Sequence, residues 1–168
     1  FSEVLLLGLA EDGGLFVPKK WPKISKNEIY KFKTMSYQQI AFHVSKKFIN
    51  GEIDDKNLKK IIKKSFKSFS KKEIAYPKKF DENKWLLELY HGPTLAFKDY
   101  ALQVVGNLFQ YVLKREKKKI TIIGATSGDT GSAAIDACKN KNTMELFVFH
   151  PYKKISNIQR RLMTTVKS

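Results

Sequence analysis

The stretch HGPTLAFKDY (91–100) sets one lysine, Lys98, between Phe97 and Asp99 where a loop turns into a helix. A cation at a helix start opposes the helix dipole. That cost disappears if the amine is bound as an imine or faces an anion. Leu95 and Phe97 are placed to desolvate the amine, which lowers its pKa toward nucleophilic or base chemistry. Asp99 reads as a first-turn carboxylate, and Thr94 as the cap of a short helical turn. An ordinary surface lysine fits the same pattern.

A second candidate is GATSGDTGSAA (124–134). A strand enters and a helix leaves. Gly128 and Gly131 let backbone pass close to a ligand, while Thr126, Ser127 and Thr130 add hydroxyls. With the unpaired amides of the helix start, these residues make a pocket for a carboxylate or phosphate. The stretch is neither a phosphate-binding Gly-Lys-Ser/Thr loop nor a GxGxxG dinucleotide turn. A tight strand–helix turn capped by Asp129 is the competing explanation. The third candidate is HPYKKISNIQRR (150–161). Lys153, Lys154, Ser156 and the amides opening a helix at Ile158 can bind a phosphate, or form a basic exposed turn.

These loops need elements to hold them. Residues 1–9 suit a helix end or short strand, and Leu15-Phe16-Val17 a short strand closed by Pro18. Ser36 caps a helix over 37–49 with Ile40, Val44 and Phe48 on one face. A helix over 55–68 carries Leu58, Ile61, Ile62, Ser65 and Phe69 at helical spacing, its lysines forming a solvated face. WLLELY (85–90) reads as a largely buried strand. A helix follows over 98–115, with Leu102, Val105, Leu108, Phe109 and Val112 apolar. Strand 118–125, helix 132–139, strand 144–150 and a helix from Ile158 complete the pattern. Strands alternating with helices predict a parallel α/β sheet preceded by a mainly helical region. The domains expected are 1–82, helical, and 83–168, the start of a catalytic α/β domain. Neither end carries a start or stop signal, so a longer polypeptide is expected.

The 168 residues are 42% hydrophobic and 29% charged, enough to build a core. No apolar run approaches the ~20 residues of a membrane span. Cys138 is the only cysteine, and His43, His91 and His150 lack metal-ligand spacing, so neither an internal disulfide nor a metal site is expected. A reducing, cytoplasmic location follows. The formal charge of +16, from 32 Lys+Arg against 16 Asp+Glu, favours anionic partners of many kinds. It is carried mostly by lysine and comes without a nucleic-acid motif, so neither a nucleic-acid nor a membrane partner is expected.

Together, HGPTLAFKD (91–99) and ATSGDTG (125–131) resemble the threonine synthase family. DGGLFVP (12–18) matches that family's N-terminal signature. Lys154-Ile155-Ser156 followed by Gln159 matches the segment after the next strand, with Lys153 where the family usually has glycine. The resemblance implies the tryptophan-synthase-β-like fold of type II pyridoxal-phosphate (PLP) enzymes, here incomplete. It implies a PLP-dependent lyase converting O-phospho-L-homoserine and water to L-threonine and phosphate, acting as a monomer or homodimer. By position, Lys98 is the lysine that forms the Schiff base with PLP, and Phe97 packs beside the cofactor. Ser127, Gly128, Asp129, Thr130 and Gly131, with Thr126, form the loop that holds the substrate carboxylate, Asp129 facing the cofactor. Thr94, Lys154 and Ser156 lie near the substrate phosphate. In this group the loop for the cofactor phosphate and the partner of the pyridine nitrogen come later in the chain than residue 168. A threonine-synthase-like phospholyase and a non-catalytic remnant or binding protein are the alternatives.

Overall fold

The computed structural model describes residues 1–166. The chain divides into two compact units, 1–64 and 65–168.

The first unit is helical. It contains α1 (Ser2–Leu7), α2 (Lys26–Phe32), α3 (Tyr37–Ile49) and α4 (Asp55–Ser65), whose last residue falls in the second unit. Two helices start the same way. Ser25 and Ser36 each accept from the amide three residues on, and Glu28 and Gln39 reach back to the cap amides. Each such box pairs two donors that a helix start leaves open. The α3 limits match those expected, but its buried residues are Phe42 and Ile49, while Phe48 stays exposed beside Trp21. Leu58, Ile61 and Ile62 of α4 are buried, and Lys56, Lys59, Lys60, Lys63 and Lys64 are exposed. The solvated lysine face is therefore present. The expected strand 15–17 is only a single bridge, Leu15 to Leu9, across a turn in which Gly13 takes φ 81°.

The second unit holds a hairpin and a βαβ unit. β1 (Pro77–Asp81) and β2 (Lys84–Leu87) pair antiparallel and are exposed throughout. This corrects the reading of 85–90 as a buried strand of the parallel sheet. Trp85, Leu86 and Leu87 imitate a core strand in composition, but they lie in a separate two-stranded ribbon. Next come α5 (Asp99–Glu116), β3 (Ile120–Ala125), α6 (Asp129–Cys138), β4 (Met144–Phe149) and α7 (Asn157–Thr164). β3 and β4 are parallel, with Ile123 opposite Phe147 and Ala125 opposite Phe149.

Helix α6 packs on α5, α7 and β4. Val112, Leu113, Ala133, Ala137 and Met163 are buried there. Gly106 is a packing requirement. A Cβ at that position would stand 2.6 Å from the Ala137 carbonyl oxygen. The opposite face of the sheet, with Ile123, Phe147 and Phe149, is exposed among the described residues.

Candidate functional site

Three loops carry the candidate chemistry. Two of them leave the C-terminal ends of β3 and β4, which adjoin as neighbouring parallel strands. Thr126 extends the ladder by one bond, its amide donating to the Phe149 carbonyl at 2.9 Å. The third loop, 91–98, does not follow a strand of that sheet, so its position needs another cause. That cause is helix pairing. Gln103 donates to Asp136 at 2.6 Å, Gly106 abuts Ala137, and Gln110 faces Asn142 at 3.3 Å. Contacts that advance together along both segments make α5 and α6 parallel. The Lys98 end of α5 therefore points the same way as the Gly128 end of α6.

Lys98 occupies the N-cap of α5 with helical backbone angles, φ −63° and ψ −23°. It makes no side-chain cap bond. Its Nζ lies 4.4 Å from the centroid of the Phe97 ring, a cation–π distance. No ion pair to Lys98 is found among the described residues. Leu95 and Phe97 are themselves 70% and 59% exposed. Lys98 as a whole is half-buried, and its amine carries no ion pair among the described residues.

The turn before Lys98 is closed from below. Asp99 is fully buried, and its carboxylate accepts from the Thr94 amide at 2.8 Å and the Thr94 hydroxyl at 2.7 Å. Thr94 therefore does not cap a helical turn; it ties the loop to Asp99. Burial pushes the Asp99 carboxyl above its ordinary value, against the pull of the Thr94 hydrogen bonds. Farther back, the His91 carbonyl accepts from the Ser70 amide at 2.9 Å, and Tyr100 donates to the Ile74 carbonyl at 2.7 Å.

Glu88 anchors the same region. It meets Lys71 at 3.1 Å and His91 Nε2 at 3.0 Å. Hydrogen bonds from Lys71 and then His91 hold its carboxyl down at about 2, from an ordinary 4.5. A depressed carboxyl stabilises the fold fully above its unfolded value and loses that contribution as pH falls. The Glu88 contribution is thus complete above pH 4.5 and fades toward about 2. Glu88→Gln should flatten this part of the acid limb in a plot of unfolding midpoint against pH. An unchanged limb would show that the cluster carries no folding energy.

In the 126–131 loop, the Gly128 amide donates to the Thr126 hydroxyl at 3.3 Å, and the Gly131 amide to the Gly128 carbonyl at 3.0 Å. α6 starts three residues earlier than the sequence indicates, so Gly128 is its N-cap and Asp129 lies in its first turn rather than capping it. Packing by itself requires a glycine at 131: a Cβ would stand 2.5 Å from both Met163 Sδ and Thr126 Cγ2. At Gly128 a Cβ would meet only the end of Gln159, at 2.7 Å. Ser127, Asp129 and Thr130 are exposed, and the hydroxyls of Ser127 and Thr130 have no partner among the described residues. The loop presents those hydroxyls beside the start of α6, a set suited to a carboxylate or phosphate.

Ser156 is the N-cap of α7, accepting from the Gln159 amide at 3.2 Å. The Ser-x-x-Gln spacing is itself a cap signal in the sequence. Ser156→Ala should cost about 0.5–2 kcal/mol of stability, read from denaturant unfolding. Lys154 is exposed, and Lys153 takes a left-handed φ of 55°, where glycine is easiest. Gln159 was named in sequence as part of a motif, but its bracing of the α6 loop with Met163 was not anticipated, nor was the Glu88–His91 pair.

A match to the family model described as "Threonine synthase N terminus" covers residues 1–66. Threonine synthase of Pseudomonas aeruginosa is 45% identical over 166 residues, covering 99% of this chain and 35% of that protein. Threonine synthase-like 2 of Xenopus laevis is 38% identical, over 99% of this chain and 35% of that protein. The crystal structure of PLP-bound threonine synthase from Brucella melitensis superimposes with a TM-score of 0.93 at 38% identity, covering 97% of this chain and 35% of that one. The chain thus spans about a third of the length of the relatives it matches.

Proposed function

We propose that this chain, which belongs to the threonine synthase family and matches its N-terminal portion, supplies the lysine and an anion-binding loop of a PLP-dependent lyase. The reaction is the conversion of O-phospho-L-homoserine and water to L-threonine and phosphate. The carrying observation is a Lys98 amine without an ion pair, on a helix end that points the same way as the open donors of loop 126–130.

These residues fit the cofactor. A lysine amine without an ion pair can be joined to an aldehyde, and the exposed Phe97 ring beside it offers an apolar surface. PLP, when bound, supplies an electron sink for charge developing on substrate carbon. Lys98 would hold it covalently and serve as the base that moves the proton at the substrate α-carbon. Ser127 and Thr130, with the amides opening α6, bind the substrate carboxylate; Thr126 and the backbone of Gly128 and Gly131 shape that loop. Asp129, exposed in the first turn of α6, would face the cofactor. Lys154 draws the substrate phosphate, with Ser156 nearby, while Thr94, its amide and hydroxyl committed to Asp99, shapes the turn before Lys98. Residues 83–168 begin the catalytic domain, and the protein acts in the cytoplasm as a monomer or homodimer.

The test uses the full-length gene product with PLP, reduced with borohydride and mapped by peptide. Label on the Lys98 peptide, with phosphate release from O-phospho-L-homoserine and L-threonine formed, supports the proposal. Label scattered over surface lysines sinks it. A second reading, a threonine-synthase-like phospholyase, would use the same residues and differ in its product. Phosphate release without threonine would select that one.

A further inference from the structure

We infer that Asp99 is a positioning residue for Lys98, acting through Thr94 to hold closed the turn on which the amine is mounted. This rests on the assignment of Lys98 as the attachment lysine.

A carboxylate in the first turn of a helix ordinarily remains in water, where the dipole favours it. Asp99 is instead completely buried. Burying a carboxylate is costly unless it is hydrogen-bonded, and Thr94, five residues upstream, gives Asp99 both its amide and its hydroxyl, with the Ala96 amide adding a weaker pull. The intervening chain makes a tight loop: the Leu95 amide donates to the Gly92 carbonyl at 3.2 Å, and the Asp99 amide to the Ala96 carbonyl at 3.0 Å. Gly92 lies so close that any side chain there would collide with the Asp99 carboxylate. Leu95 is driven to φ 62°, a conformation that L side chains rarely adopt.

An Asn or Ser exposed at the helix start would serve the helix at lower cost. A buried acid, a glycine without room for a Cβ and a strained leucine are understandable if the product is a fixed direction for the next residue. Lys98 adjoins Asp99 and shares its backbone. Loss of either Thr94 bond frees the turn and lets the amine wander, and a misplacement of about 1 Å at a reacting group can cost about 10²-fold in rate.

The experiment compares the full-length gene product with its Thr94→Val, Thr94→Ser, Asp99→Asn and Asp99→Ala variants, each loaded with PLP. The readouts are the pH titration of the visible absorbance, and kcat and KM with O-phospho-L-homoserine. Thr94→Val should shift the titration midpoint by about one unit and lower kcat by about 10²-fold with little change in KM. Thr94→Ser should restore both, because it keeps the hydroxyl. Asp99→Asn, which retains one acceptor, should fall between Thr94→Val and the unaltered protein. Asp99→Ala should resemble Thr94→Val; if it fails to fold, the Thr94 pair still decides. A Thr94→Val protein that titrates and turns over normally overturns the inference, as does a Thr94→Ser protein as defective as Thr94→Val. If the unaltered protein traps no PLP on Lys98, the functional assignment itself fails, and this inference falls with it.

Discussion

Lys98→Ala should abolish covalent capture of PLP and reduce turnover of O-phospho-L-homoserine by at least about 10²–10⁴-fold, the usual contribution of a positioned proton-transfer group. The loss should appear in kcat rather than KM, because the carboxylate loop and Lys154 remain. Folding should be nearly unaffected. The Lys98 side chain caps nothing, and its amine lies over the ring of its exposed neighbour Phe97. Loss of a helix-start cation is neutral or mildly favourable to the dipole. Steady-state kinetics with thermal unfolding on the same preparation separates the two effects. A Lys98→Ala protein that keeps a tenth of its activity would remove the lysine from the chemistry. A Lys98→Arg control keeps the charge but cannot form the same bond to an aldehyde; it should be as inactive as the alanine variant.

The second large effect concerns Gly106→Ala. Helix propensity alone says that this change stabilises, by about 1 kcal/mol. Packing says the reverse. The new methyl would stand 2.6 Å from the Ala137 carbonyl oxygen and 3.3 Å from the Ala137 side chain. The nearest atom is helix backbone, which cannot swing aside as a long side chain can. Overpacking of this kind costs about 1–3 kcal/mol, so a net loss of stability is expected. Equilibrium unfolding in urea, with the slope checked for constancy, reads the sign. A more stable Gly106→Ala protein would mean that α5 and α6 are less closely packed than described.

Much of this arrangement was legible in the sequence because its signals are local. The α3 limits followed from the Ser36 cap and the terminal Gly51; the βαβ order followed from KKITIIGA, the glycines and MELFVFH. The capping box at Ser25 and Glu28 was equally local, yet helix α2 was not anticipated, because its short span carries no clear apolar stripe. WLLELY misled for a physical reason. Apolar content reports an affinity for burial, not which strand will pair, and the partner, PKKFD, has too little apolar character to be recognised. At the site, residue types pointed to Lys98 and to loop 126–131. The Asp99–Thr94 tie could not be read. Sequence places Asp99 in a first turn, where solvent exposure is ordinary, and only the folded chain shows it buried. The reason for Gly131 was also hidden, because Met163 and Thr126 approach it from elements distant in sequence or across the loop.

The parallel fit of α5 against α6 has a mechanical consequence. A helix advances about 1.5 Å along its axis per residue and is stiff over a few turns. Lys98 sits at one end of such a rod, two turns from the tight seat at Gly106. Axial slip at that seat would be delivered almost undiminished to the amine. The glycine and the Gln103–Asp136 bond thus act as a gauge block, fixing how far the lysine projects beyond the helix bundle. The position of Lys98 is set at a contact about two turns away from it.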